Sequence, residues 1–112
     1  MATSDQLYDE ADKLKDAGKL EESVAKYEEI LSQDPEYALA HSALAVVLGR
    51  LGRHEAAIEH GKKVCELAPD DAFSFTALSV TYQRAFAGTG NQQYIQDAEN
   101  AMARAQMIQQ GM

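Results

Sequence analysis

Few residues in this chain could do chemistry. His41, His54, His60 and Cys65 are its soft metal ligands, and only His60 and Cys65 stand close together, five apart on one expected helix. No zinc-binding spacing is present. The histidines read as structural or surface residues, and Cys65, beside Val64 on an apolar face, as a small core residue. Gly88-Thr89-Gly90 lacks the lysine and the preceding strand of a phosphate loop, so it reads as a turn. Carboxylates are plentiful, but acid–base catalysis needs them in a dry cleft with shifted proton affinities. The acids here fall on an open helix face, and no nucleophile is paired with a base. No catalytic residue, metal site or cofactor site is therefore assigned, and the chain is not read as an enzyme.

The acids do form a pattern. Asp5, Asp9, Asp12 and Asp16 are spaced by 4, 3 and 4, which puts them on one face of one helix. Like charges at that spacing cost a few tenths of a kcal/mol per pair. The helix dipole offsets this only for Asp5 and Asp9, in the first turn or so. A basic partner segment would relieve the repulsion; alternatively, the stripe is a solvated face that keeps the protein soluble.

The elements behind these residues recur. At an offset of 34, Gly18 matches Gly52, Pro35 matches Pro69, Leu14 matches Leu48, and Leu48 matches Tyr82. Ala11, Ala45 and Ser79 repeat at the same interval, as do Ser23 and Ala57. Such agreement is the signature of a repeat array. Within each unit the apolar residues keep helical spacing, with a glycine at the turn between two helices. Asp34, with Pro35 after it, is placed to cap one helix, Asp70 or Asp71 another, and Thr3 or Ser4 the first. In the third unit the match to Ala57 is Ala98, seven residues late, so each of its helices gains about one turn around a joint at 87–91. Six antiparallel helices follow, at roughly 5–17, 20–33, 37–50, 54–67, 71–87 and 92–110. Gly61 is out of place in mid-helix, where it costs about 1 kcal/mol relative to alanine. Close packing under Phe75 or Phe86 is the expected reason. The last helix should turn Tyr94, Ile95, Ala98, Ala101, Met102, Ala105 and Ile108 inward and glutamines outward, with Met107 off that stripe.

The net charge of −8 is unevenly spread. Residues 1–37 carry eleven acids against four lysines, whereas residues 72–112 balance two against two. Nucleic acid is a poor partner for such a surface. The longest apolar run, Ala43–Leu48, is too short for a bilayer. The N-terminus has neither a basic start nor an apolar stretch, and one cysteine cannot close an internal disulfide, so a cytoplasmic location is expected.

The pattern resembles the tetratricopeptide repeat. The first unit supplies Leu7, Ala11, Leu14, Ser23, Tyr27 and Pro35; the second His41, Ala45, Leu48, Ala57, Gly61 and Pro69; the third Phe75, Ser79, Tyr82, Ala98 and Met102. The resemblance implies an all-α solenoid of three antiparallel helix pairs with right-handed superhelical stacking. Repeats at about 4–37, 38–71 and 72–110 would form a single domain over 1–112. It also implies that the first helix of each repeat lines a concave groove that holds a peptide or helix of another protein.

Three strips project onto that groove: Asp5, Tyr8, Asp9, Asp12, Lys15 and Asp16; then Leu39, Ser42, Ala43, Val46, Gly49 and Arg50; then Phe73, Thr76, Ala77, Val80, Gln83 and Arg84. The subtype that clamps acidic chaperone tails uses lysines, asparagines and an arginine where this chain has Tyr8, Asp12, Ala43, Phe73 and Ala77, so that subtype is not expected. Asp5, Tyr8, Asp9, Asp12, Asp16, Leu39, Val46, Arg50, Phe73, Val80 and Arg84 are the candidate partner-binding residues, favouring an apolar segment with a basic end. The alternative is a scaffold that self-associates as a homo-oligomer through its long last hairpin or its repeat ends.

Overall fold

In a computed structural model, residues 2–111 are described. They form six helices: α1 (Ser4–Asp16), α2 (Leu20–Gln33), α3 (Ala38–Arg50), α4 (His54–Leu67), α5 (Ala72–Thr89) and α6 (Gln93–Gln109). No strand is present among the described residues. Each helix packs on the next, and α3 also touches α5, so the pairs stack as an array. The radius of gyration, 14.3 Å, exceeds the roughly 13 Å of a rounded domain of this length, as an elongated stack requires.

Local chemistry sets most boundaries. Thr3 and Gln6 form a reciprocal capping box at the start of α1. Gly18, Gly52 and Gly90 take φ of 80°, 79° and 73°, the left-handed conformation that a side chain would strain. The Asp71 carboxylate, not Asp70, caps α5, accepting from the Phe73 amide and the Ser74 hydroxyl, both at 3.0 Å.

Four expectations are corrected. Asp34 ends α2 rather than starting α3, whose N-cap is Tyr37 with no side-chain capping bond. The proline turn takes up the residues between them, and the Tyr37 amide closes it on the Asp34 carbonyl. The α5 helix runs two residues past its expected end at 87, into the expected joint, so Gly88 is helical. A Cβ there would lie 2.3 Å from His54 Nε2, so glycine admits the imidazole of α4. Gly61 packs under Leu78 and Thr81 instead of under a phenylalanine. Ile95 is exposed; the inner face of α6 is buried through Ala98, Ala101 and Ala105.

The core divides into two clusters. One joins Leu7, Val24, Tyr27, Ile30, Leu44 and Val47 across α1, α2 and α3 and reaches Ala57 of α4. The other joins Ile58 and Cys65 of α4 to Leu78, Tyr82, Ala85, Ala98 and Ala101 of α5 and α6. The division falls where α3 and α5 stand side by side.

Candidate partner-binding groove

Between α3 and α5 the surface opens into a groove of about 550 Å³. The α3 side contributes Leu39, Ser42, Ala45 and Val46, and the α5 side Phe73, Ala77, Leu78, Val80 and Arg84. Gly61 and Val64 of α4, with Ala68 just past its end, complete the lining. Soluble proteins bury large apolar side chains where they can, yet Phe73 is 78% exposed and Leu39 55%. Val46 and Val80 are exposed as well. An apolar patch of this kind marks an interaction surface.

The corresponding space between α1 and α3 is occupied by the chain itself. Tyr27 is fully buried there, its ring centroid 5.8 Å from that of Tyr8, which lies 6.0 Å from Tyr37. The Tyr27 hydroxyl donates to Asp12 at 2.5 Å and the Tyr37 hydroxyl to Asp5 at 2.6 Å. Burial and the bond to Asp12 raise the Tyr27 phenol well above its ordinary range; the bond to Asp5 and then burial push Tyr37 up to about 12. Tyr8 is also raised, by burial and by Asp12 and Asp9.

The structure therefore separates the predicted residues. Leu39, Val46, Phe73, Val80 and Arg84 come together in one groove. Arg50 stands exposed at the α3 end, outside the lining. Asp5, Tyr8, Asp9, Asp12 and Asp16 lie on α1, also outside it. Of those acids, Asp5 and Asp12 serve as internal acceptors, with Asp12 also 3.6 Å from Lys15, while Asp9 and Asp16 are exposed.

The profile of the tetratricopeptide repeat matches residues 8–72. The chain belongs to the tetratricopeptide repeat family. A search of curated protein sequences finds no match. Among solved structures, the chain is similar to the crystal structure of MamA, at 15% identity and a TM-score of 0.82, covering 97% of this chain and 60% of that one. It is similar also to MamA 41-end from Desulfovibrio magneticus RS-1, at 21% identity and a TM-score of 0.76, covering 97% and 58%. The chain thus spans about three fifths of the length of these two neighbours. The TPR2B domain of yeast Sti1, solved in a complex with pHsp70, gives 18% identity and a TM-score of 0.63 over 93% and 96%.

Within this tetratricopeptide repeat fold, spacing missed one polar contact: His41 and His60 meet across α3 and α4, with Nδ1 atoms 2.9 Å apart. His41 Nε2 lies 2.8 Å from the Pro35 carbonyl, which can only accept, so Nε2 carries the proton and Nδ1 accepts from His60. Burial and His41 lower the proton affinity of His60, and Glu59 partly opposes them. Among the described residues no cluster of three or more His, Cys, Asp or Glu could hold a metal ion. Burial and the Asp71 charge push the Cys65 thiol up to about 11, which leaves little thiolate to react. No described helix is long and apolar enough to cross a membrane.

Sequence reasoning flagged Gly61 as anomalous but not as part of a site. The usable signal was loss of bulk at matched positions. Where the first repeat boundary has Tyr8, Tyr27 and Tyr37, the residues 34 further on are Ser42, Gly61 and Asp71, and all three line the groove.

Proposed function

We propose that this protein is an interaction module that holds a peptide or helix of another protein in the groove between α3 and α5, without catalysing a reaction. The observation that carries this reading is the exposure of Leu39, Val46, Phe73 and Val80 around one concavity. Membership of a repeat family whose fold presents concave surfaces supports it, as does the likeness to a TPR domain solved with pHsp70. An apolar segment in the groove whose basic end reaches Asp9 and Asp16 would suit the charge on α1. The net charge of −8 weighs against nucleic acid, and the reading places the module in the cytoplasm.

Changing Phe73 and Val80 together to glutamate tests the reading. The partner would be recovered by affinity capture and titrated against both proteins. Binding should be lost while the melting temperature holds, because exposed positions away from special features rarely move stability by more than about 0.5 kcal/mol. Undiminished binding would rule the groove out.

A second reading, self-association, is favoured by the far end of the array. Phe86, Ile95 and Met102 line a shallow concavity between α5 and α6, and Ile95 and Met107 are exposed. Light scattering over a concentration range decides it: a strict monomer removes this reading.

A further inference from the structure

The second helices of the repeats carry a contrast of their own. Arg53, the residue before α4, pairs with Glu21 of α2. One repeat on, at offsets of 34 and 41, the matched residues are Glu55 of α4 and Tyr94 of α6. The acid is kept and the arginine is not, and Glu55 makes no ion pair among the described residues. A concavity of about 450 Å³ lies there, lined by Glu55, Glu59 and Lys62 of α4, Tyr82 of α5, and Tyr94 and Asp97 of α6. It shares no residue with the groove between α3 and α5. Three carboxylates stand against one ammonium, and Lys62 pairs only with Glu59, at 3.8 Å. Asp97 accepts from the neutral Gln93 amide at 3.1 Å. Tyr82 is only 8% exposed, yet its hydroxyl has no hydrogen-bond partner among the described residues. Burial first, and then the charges of Asp97 and Glu59, raise its phenol above the ordinary range, so its oxygen lies on the side of those two acids. Tyr94 lies beside it, with ring centroids 6.1 Å apart and planes at 33°. A buried oxygen without a partner suits a donor, gathered carboxylates suit a cation, and aromatic rings suit a flat one. A guanidinium is all three at once.

We infer that this concavity binds an arginine side chain of a partner protein, with Glu55 and Asp97 facing its charge, the Tyr82 oxygen accepting from it and Tyr94 stacking on it. The partner's arginine takes the part that Arg53 plays toward Glu21 within the chain. The site stands apart from the groove between α3 and α5, so it holds or fails independently of groove binding.

The test is NMR of the tyrosine rings of the whole chain, titrated with N-acetyl-arginine amide and with its citrulline and lysine counterparts. The arginine probe should shift the Tyr82 and Tyr94 rings and saturate. Citrulline keeps the shape without the charge and should bind about fivefold more weakly or not at all. Lysine, charged but not planar, should fall between them. The variant Tyr94→Arg supplies the cation from within the chain, as Arg53 does for Glu21, and should abolish the shift at Tyr82. Glu55→Gln combined with Asp97→Asn keeps the side-chain shapes and should weaken the arginine probe about fivefold. That double variant decides the matter if Tyr94→Arg fails to fold. No saturable shift, equal binding of citrulline, a Tyr82 shift that persists in Tyr94→Arg, or undiminished binding to the double variant overturns the site. Equal binding of the lysine probe overturns its assignment to arginine.

Discussion

The two repeat boundaries of this protein are built from the same helical frame and end in opposite states. At the first, three tyrosines fill the joint and two aspartates accept two of their hydroxyls, so the joint is consumed by folding. At the second, Ser42, Gly61 and Asp71 replace the tyrosines, Leu39 and Val46 replace the two aspartates, and the joint stays open. The core divides at the same place. In a repeat array each boundary is a nearly independent interface, so one can be spent on stability and its neighbour on binding without changing the fold. Five changes of side chain separate the two uses.

The sharpest way to break this comparison is to empty the closed boundary. Tyr27 is wholly buried, so Tyr27→Ala creates a cavity and leaves Asp12 without its donor. Aromatic-to-alanine changes in a core cost about 3–5 kcal/mol, which urea denaturation would read as a large fall in midpoint at similar slope. A loss below about 1 kcal/mol would mean that the tyrosine is not what holds the first boundary.

The reverse change tests the open side. A Cβ at Gly61 already sits 3.0 Å from Leu78 Cδ1, so Gly61→Leu must displace that side chain. Overpacking of this kind costs about 1–3 kcal/mol. The same variant should weaken binding of an apolar peptide, because Gly61 lines the groove. An unaltered melting temperature would show that the helices have room there and that glycine serves another purpose.

Much of this was legible in the sequence. Gly18, Gly52 and the apolar spacing act locally, so helix ends were placed within two residues. The groove's apolar lining was legible because repeats put matched residues on matched faces. What was hidden acts at a distance. Tyr27 bonds Asp12 fifteen residues away, and Tyr37 bonds Asp5 thirty-two away, so nothing local to the acidic stripe marks these two acids as internal acceptors. His41 and His60 meet at a separation of nineteen, on different helices, where no zinc-type spacing points. The length of α5 was misjudged because Gly88 reads locally as a breaker; only the imidazole of His54 against it explains a helical glycine.

A smaller effect sharpens the account of the closed boundary. Tyr27→Phe keeps the ring and removes only the hydrogen bond to Asp12, at a cost of about 1 kcal/mol. Alkaline unfolding gives a second view of the same contacts. Tyr37 is held at about 12, above its ordinary 10.0, so the stabilisation it lends is complete below pH 10 and is lost as the pH rises toward 12. Tyr37→Phe should flatten that alkaline limb, and a limb of unchanged steepness would remove the Asp5 bond as its source.

The smallest expected effect lies in the repeat that supplies one wall of the open groove. His60 is lowered from its ordinary 6.5 by burial and by His41, against the pull of Glu59. Its stabilisation is therefore whole above about pH 6.5 and is lost as the pH falls below that value, when the unfolded chain takes up a proton more readily than the folded one. Melting curves at pH 7.5 and pH 5 should show a larger fall for the unaltered protein than for His60→Gln, which cannot titrate. Carboxylates contribute a background common to both proteins, so the difference between them isolates the pair. If the two fall equally, the histidines carry no pH dependence, and the contrast between the boundaries rests on side-chain volume and the tyrosine–aspartate bonds alone.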